Sequence, residues 1–357
     1  MKRLKILLIL FLFYGISFSQ YLLKDGYIAV ESFENVKNSF SYKNLRLYPL
    51  KVGEFFIQAH KNIGNYLNLE EALKENKIKI TETIDTSVVA DDIQVNLNEL
   101  NIADTQNYNQ VSNQDVQQTF VQTQGSYGQV NTLFIQNLSE DTIFLMAGEV
   151  IKGGKQDRVL AKDLVLLPGK EKIDLSVFCV ESHRWSFNRE EQSFDKYYSI
   201  SSNSVRYKVS KAQDQSQVWE AVDQITSGQN AESSTGTYTA LEQSSEFQEN
   251  LKEYSDYFLN AFDNSEKYIG FVGVSGDKII GCDIFATENL FRKQLNSLLS
   301  GYITEALTNG DTVDFDDKKL MVYLNEFLSD ENTQDKVIDQ KGIQLIHKKN
   351  KIHITIF

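Results

Sequence analysis

The sequence predicts an α+β protein, in which an antiparallel, β-rich N-terminal half precedes a half made of helices and apolar hairpins. Two observations favour this class. Short segments up to about residue 180 alternate apolar and polar side chains, which is typical of strands. Longer segments after about residue 215 space their apolar residues three and four apart, which indicates amphipathic helices. Strands and helices are thus segregated along the chain, as in α+β proteins.

Several elements carry local signals for their ends. Asn68 followed by Glu71 forms a capping box and predicts a short helix over residues 68–74. Thr287 is the expected N-cap of a long amphipathic helix that stops at Asn309-Gly310. The predicted strands share runs of apolar or alternating residues, and they cover 78–81, 131–136, 142–150, 173–180, 268–275, 278–285, 343–347 and 351–356.

The first nineteen residues are predicted to be a secretory signal peptide. Lys2, Arg3 and Lys5 precede a short apolar run over residues 6–13, and small residues lead to Ser19-Gln20. That run is too short to cross a bilayer comfortably, and no later segment is apolar for long enough. We therefore expect a chain that is cleaved near Ser19-Gln20 and exported to the periplasm or the medium.

Composition argues against several classes of protein. The formal charge of −13 becomes more negative when the three basic leader residues are removed, so nucleic-acid binding is disfavoured. Cys179 and Cys282, the only cysteines, are expected to be free buried thiols, although one bridge is compatible with export. The four histidines have no ligand spacing, and phosphate-loop and dinucleotide motifs are absent, so no metal or cofactor is expected.

The chain is divided by a change of composition. Residues 20–85 form the first part of the predicted domain, and residues 130–357 form the remainder. Between them, residues 86–129 are rich in Asn, Gln, Ser and Thr, so they bury too little apolar surface to offset the entropy of ordering. We expect an exposed, mobile insertion there, with a weakly ordered binding loop as the alternative.

The first candidate site lies around the Gly153-Gly154 pair. Two glycines favour a two-residue hairpin turn, and counting outwards from it places Glu149 opposite Arg158 and Lys152 opposite Lys155. Alternation then puts Glu149, Gln156 and Arg158 on one face, as a grip for a polar ligand. The alternative is an exposed cross-strand ion pair that contributes little to stability.

The second candidate site follows the predicted strand over residues 173–180. Glu181 ends the buried face of that strand, where a carboxylate needs a partner, and it is the candidate catalytic acid or base. Arg184 or Arg158 would instead hold Glu181 ionised. Trp185 either stacks on a ligand or packs in the core. Asp283, which interrupts an apolar strand opposite Gly270, is a secondary candidate.

These residues also resemble a bacterial family. The resemblance rests on Asn137 to Leu145, Gly148-Glu149, Gly153 to Arg158, Cys179 to Glu181, and Arg184-Trp185, with further likeness up to the C-terminus. The family is the ADP-ribosylglycohydrolase and rhodanese-phosphatase superfamily-associated protein domain. The resemblance implies a link to ADP-ribose or NAD-derived metabolites and no established mechanism. Where the family pattern reads Gln-Asn-Arg this chain has Asp157, which we expect to face away from the site.

Together these observations predict an exported binding domain for a polar or anionic small molecule or a modified protein. The candidate ligand-binding residues lie at the two predicted sites and have side chains that can hydrogen-bond to a ligand or stack on it. They are Glu149, Lys155, Gln156, Arg158, Glu181, Arg184 and Trp185. One alternative is a hydrolase that uses Glu181 as general acid or base. Another is a surface protein whose insertion contacts a partner.

The predicted export can be tested on the mature protein. If the leader is cleaved, mass spectrometry of the protein from its native host will find Gln20, free or cyclised, at or near the N-terminus. Recovery of intact Met1 from a membrane fraction would show that the leader is retained.

Overall fold

The computed structural model describes residues 27–83, 131–184 and 193–357. It confirms the predicted α+β class, with most strands in the N-terminal half and most helices in the C-terminal half. The described strands build an open antiparallel sheet and a closed barrel. None of the helices described is long and apolar enough to cross a membrane.

The open sheet runs in the order β1-β3-β12-β13-β15-β14, and β2 pairs with β3. Its pairings are antiparallel; the central strand β12 is buried throughout, and β13 is buried from Gly281 to Phe285. The strands of this sheet are β1 (Ile28–Val30), β2 (Ser41–Tyr42), β3 (Leu45–Val52), β12 (Tyr268–Ser275), β13 (Lys278–Phe285), β14 (Gly342–His347) and β15 (Asn350–Ile356).

Helices cover both faces of the open sheet. One face packs its aromatic residues against α6 (Ser245–Phe262) and α7 (Glu288–Asn309). The other face packs against helices that contribute smaller apolar surfaces. These helices are α1 (Phe33–Ser39), α2 (Glu54–His60), α8 (Asp317–Phe327) and α9 (Glu331–Lys341). The sheet is therefore the buried middle layer of this part of the molecule, as its continuous apolar strands require.

The barrel closes in the order β10-β5-β4-β11-β7-β8, with β8 paired to β10. Its interior is filled mainly by aliphatic side chains, and α3 (Leu69–Lys74) packs on the same cluster. The barrel strands are β4 (Ile78–Glu82), β5 (Thr132–Asn137), β7 (Glu149–Gly153), β8 (Arg158–Leu160), β10 (Gly169–Cys179) and β11 (Ser193–Ile200). A separate ribbon pairs β6 (Ile143–Leu145) with β9 (Leu164–Leu166).

A helical segment joins the barrel to the sheet. It begins directly after β11 with α4 (Asn203–Tyr207), which continues into a π-helix over Lys208–Ala212. It ends with α5 (Gln215–Gly228) and a 3₁₀ helix over Tyr238–Gln243. Apolar residues of this segment pack on the outer face of the barrel.

Local sequence signals predicted several boundaries correctly. The Asn68 side chain accepts the Glu71 N–H at 2.8 Å and Glu71 reciprocates, so the capping box forms as expected. Thr287 caps α7, and Gly310 ends it. The hairpin of β12 and β13 has the predicted bounds.

Other predictions were wrong in detail. The strand expected over residues 142–150 is broken into β6 and β7, because the chain turns at Gly148, whose φ is +94°. In the hairpin of β12 and β13, a bulge leaves Ile280 without a partner. Asp283 therefore lies opposite Phe271 and not Gly270.

Both cysteines are buried free thiols, as expected. Burial raises the pKa of Cys179 and of Cys282, which disfavours the thiolate form that a nucleophile requires. The predicted leader, the polar insertion and Trp185 lie outside the described residues.

Candidate functional site

The hairpin of β7 and β8 does not have the predicted register. Ile151 pairs with Arg158 and Val150 with Val159, which is a shift of two residues from the expected pairing. Glu149 instead pairs with Ile200 of β11. The connection between the two strands is accordingly longer than a two-residue turn, and Glu149 does not lie opposite Arg158.

Two glycines and a carboxylate stabilise this longer loop. Gly153 and Gly154 have φ values of +132° and +53°, and Asp157 Oδ1 accepts the Gly153 N–H at 3.2 Å. A Cβ on Gly154 would lie 2.3 Å from the Phe194 ring and 2.7 Å from Glu82 Oε1. The glycines are needed because the loop passes close to β11 and to Glu82.

Glu181 and Arg184 form an ion pair at the end of the barrel. Arg184 Nε and Nη2 lie 2.9 and 2.8 Å from Glu181 Oε2, and the same oxygen accepts the Asp157 N–H at 3.1 Å. The Glu181 side chain is 4% exposed and that of Arg184 is 33% exposed. The guanidinium is thus anchored on a buried carboxylate while part of it reaches the surface.

Asp157 contributes to this arrangement, which the sequence analysis missed. It was expected to face away from the site, yet its Oδ1 lies 3.4 Å from Arg184 Nη2. Its Oδ2 accepts the hydroxyls of Thr237 and Thr239 at 2.9 and 2.8 Å. The error arose because Glu181 and Arg184, which follow a different strand, contact Asp157, a relation that strand alternation cannot reveal.

Arg158 points into the barrel and is completely buried. Its Nη1 donates to the Gln156 carbonyl at 2.8 Å, and its Nη2 lies 3.6 Å from Glu82 Oε1. Nε and Nη2 make no hydrogen bond to any residue that the structure describes. Burying a guanidinium with unsatisfied donors costs free energy. Arg158 therefore makes this end of the barrel polar, in contrast to its apolar interior.

Glu82 was also missed, although its sequence signal matches that of Glu181. Ile78 and Ile80 point into the barrel, and Glu82 ends the same alternation.

We call the following charged and polar residues the barrel-end cluster: Glu82, Lys155, Gln156, Asp157, Arg158, Glu181 and Arg184. Gln156 Nε2 donates to the Glu181 carbonyl at 2.7 Å, and the Lys155 N–H donates to Glu82 at 2.9 Å. Burial lowers the pKa of the Lys155 ammonium.

Glu149 does not belong to the barrel-end cluster. It lies at the other end of β7, where its Oε2 accepts the Met146 N–H at 2.8 Å. The side chain is fully buried, and burial raises the pKa of Glu149 well above its usual range. The negative charge of Asp163 nearby acts in the same direction.

Asp283 is the centre of a second buried polar group, which joins the barrel to the open sheet. Arg206 of α4 donates to both of its carboxylate oxygens, at 3.0 and 2.7 Å. Tyr302, Thr355 and His353 also contact this carboxylate, at 2.7, 2.7 and 3.0 Å. The Arg206 guanidinium holds the pKa of Asp283 well below its usual range, against the effect of burial.

His353 links Asp283 to Asp163. Its Nδ1 lies 2.7 Å from Asp163 Oδ2, and Asp163 Oδ1 accepts the Ala147 N–H at 2.7 Å. The two carboxylates raise the pKa of His353 to about 9 although burial opposes this. We call this set the junction network, and its members are Asp163, Asn203, Arg206, Asp283, Tyr302, His353 and Thr355.

The two groups differ in what they can do chemically. The side chains of the junction network are almost completely buried, so it serves packing and orientation. The barrel-end cluster reaches the surface through Arg184, and its arginines suit phosphate or carboxylate groups. Among the residues described, no group of His, Cys, Asp and Glu could hold a metal ion.

Comparison with known proteins identifies relatives at the family level. The model of the ARG and Rhodanese-Phosphatase-superfamily-associated Protein domain (ARPP-1) matches residues 34–351. A search of curated proteins and one of solved structures gave no match. The match spans the barrel, the helical segment and the open sheet apart from β1 and most of β15.

The junction network predicts a large cost for Asp283→Asn. The change removes the charge that compensates the fully buried Arg206, so the free energy of unfolding should fall by about 3–5 kcal/mol. Asp256→Asn is the matched control, because Asp256 pairs with Lys252 on the surface. Its cost should be at most about 1 kcal/mol in the same urea titration. Equal effects of the two changes would contradict the assigned role.

His353 predicts a pH dependence of stability. Its pKa rises from 6.5 to about 9 on folding, so its contribution is complete below pH 6.5 and is lost as the pH rises through about 9. Urea titrations between these values should show a falling free energy of unfolding. The fall in stability between these pH values should be missing in His353→Asn. It should persist in Glu149→Gln, which removes a different nearby group whose pKa is raised by burial. An unchanged slope in His353→Asn would refute the assignment.

Proposed function

Since the chain belongs to the ARPP-1 family, whose model matches nearly its whole length, we propose that it is an exported binding domain for a polar, anionic ligand. The ligand is a small molecule or a group carried by a modified protein. Arg184, Lys155 and Gln156 contact it at the barrel end, with Arg158 beneath them. The family's association with ADP-ribose chemistry makes ADP-ribose the first ligand to test.

The observation that carries this proposal is the anchoring of Arg184. Its guanidinium is one-third exposed, and its buried partners Glu181 and Asp157 are themselves fixed by further hydrogen bonds. A guanidinium held in one orientation loses little entropy on binding. Its Nε and Nη2 face Glu181 and its Nη1 lies 3.4 Å from the Gly154 carbonyl, so a phosphate or carboxylate would be met by the remaining N–H groups of Nη1 and Nη2. Solvent exposure makes it accessible to a ligand.

Arg158 supports the same assignment from inside the barrel. Two of its nitrogens make no hydrogen bond to a described residue, although the side chain is completely buried. Its charge is opposed by Glu82 at 3.6 Å, a distance beyond a direct hydrogen bond. The three cations of the barrel-end cluster equal its three carboxylates in number, so it is the unsatisfied Arg158 N–H groups that favour a hydrogen-bond acceptor at the barrel end.

The hydrolase alternative has less support. Glu181 Oε2 is contacted by two guanidinium nitrogens and a backbone N–H. A carboxylate in such an ion pair is suited to fixing Arg184 and less suited to exchanging protons with a substrate. A product signal that disappears in Glu181→Gln would nevertheless favour the hydrolase.

The proposal predicts that Arg184→Lys weakens ligand binding. The change keeps the positive charge beside Glu181 but removes the bidentate fork, so the Kd for ADP-ribose should rise about tenfold or more. Isothermal titration calorimetry with ADP-ribose, nucleotides and sugars measures this, and the thermal unfolding midpoint of each variant verifies folding. Arg292→Lys is the matched control, because Arg292 is similarly exposed and also paired with a carboxylate.

Two results would contradict this function. One is that none of these ligands binds the wild-type protein. The other is that Arg184→Lys and Arg292→Lys bind equally well. Binding that falls only in Arg184→Lys, with an unchanged unfolding midpoint, is the expected result.

A further inference from the structure

A serine and a histidine lie at the surface directly before Arg184, and neither belongs to the barrel-end cluster. Ser182 is half-buried and His183 is exposed. Ser182 Oγ lies 2.7 Å from His183 Nδ1, which is within hydrogen-bond distance. The imidazole is therefore accessible to a ligand and at the same time restrained by the serine.

Hydrogen bonds to a neighbouring segment fix the backbone of this pair. Glu181 forms an antiparallel bridge with Thr237, and the His183 N–H donates to the Thr235 carbonyl at 3.0 Å. The backbone is thus held on both sides of Ser182. The pair does not depend on a free loop for its position.

Gly236 lies against the side chains of the pair. Its φ is +59°, and a Cβ there would lie 2.5 Å from Ser182 Oγ and 3.2 Å from His183 Nδ1. A side chain at position 236 would therefore have to displace the serine hydroxyl and with it the histidine ring. Glycine is required here both by the backbone conformation and by this close approach.

A short chain of contacts connects the pair to the guanidinium of Arg184. Arg184 Nη2 lies 3.4 Å from Asp157 Oδ1, and Asp157 Oδ2 accepts the Thr237 hydroxyl at 2.9 Å. Thr237 follows Gly236, which lies against His183. The imidazole and the guanidinium consequently belong to neighbouring parts of one surface at the barrel end.

The serine determines which nitrogen of the histidine faces outward as a donor. A neutral imidazole carries one proton on its two nitrogens, so a serine hydroxyl that donates to Nδ1 leaves the proton on Nε2. Among the described residues, His183 forms no other side-chain hydrogen bond or ion pair. Its Nε2–H is then available to an acceptor group of a ligand.

We propose that His183 is a second ligand-binding residue of the barrel-end site, and that Ser182 and Gly236 are its positioning residues. This inference rests on the proposed function. The Nε2–H of His183 donates to an acceptor group beyond the anionic group that Arg184 binds. The ligand therefore has two acceptor groups in succession, as in a nucleoside diphosphate, and a single phosphate leaves His183 unused.

The test is calorimetric titration of the full mature protein with ADP and AMP, which differ by one phosphate. His183→Ala should raise the Kd for ADP about tenfold, the loss expected for a hydrogen bond to a charged group, and should leave the Kd for AMP unchanged. His347→Ala is the matched control, because His347 is a partly exposed histidine at the end of β14. An equal preference for ADP over AMP in wild type and His183→Ala would overturn the proposal.

The positioning role is tested by Gly236→Ala. It should weaken ADP binding as much as His183→Ala does, and the double variant should bind no more weakly than either single variant. Gly64→Ala is the matched control, because Gly64 also has a positive φ, of +91°, but a Cβ there would contact nothing within 4 Å. It should keep wild-type affinity for ADP, and thermal unfolding midpoints verify that both variants fold. Equal affinity of Gly236→Ala and Gly64→Ala would refute the role of Gly236.

Nuclear magnetic resonance of the histidine rings supplies a readout that does not depend on affinity. The ring proton of His183 should be on Nε2, and ADP should shift this nitrogen signal but not that of His347. A proton on Nδ1, or no shift, would overturn the proposal. ADP binding that falls in Arg184→Lys but not in His183→Ala would overturn this inference alone. Absence of binding by every nucleotide would overturn the proposed function as well.

Discussion

The buried ion pair between Arg206 and Asp283 determines how the two β structures of this protein fit together. Arg206 lies on α4, directly after the last barrel strand, and Asp283 lies on a central strand of the open sheet. Both side chains are completely buried, so neither charge is stable without the other. The contacts of Tyr302, His353 and Thr355 with Asp283 then fix α7 and β15 around the pair.

Close packing around this pair explains the irregular backbone beside it. A Cβ on Gly148 would lie 2.5 Å from Arg206 Cγ, and one on Gly281 would lie 2.6 Å from Asn203 Nδ2. Gly148 stands where the predicted strand over residues 142–150 breaks, and Gly281 follows the bulge at Ile280. Regular strand geometry is lost at both points because the backbone must pass close to a polar network.

The barrel has an apolar middle and a charged end, and this division relates its fold to its proposed function. Aliphatic side chains fill the interior, while Arg158 and Glu82 occupy one end. Arg184 is held there by carboxylates that are fixed in turn by backbone and threonine donors. Such a rigid polar end would lower the entropy cost of the proposed binding, because the cation is already ordered in an otherwise acidic chain.

The sequence by itself determined the elements whose signals are local. These include the α+β class, the capping box at Asn68, the ends of α7 at Thr287 and Gly310, and Glu181 at the end of a buried strand face. Family membership was also readable from its motifs. Only the tertiary structure decided the register at Gly153-Gly154, the separation of Glu149 from Arg158, and the pairing of Asp283 with Arg206. These depend on contacts between residues far apart in the chain, which alternation and capping rules do not contain.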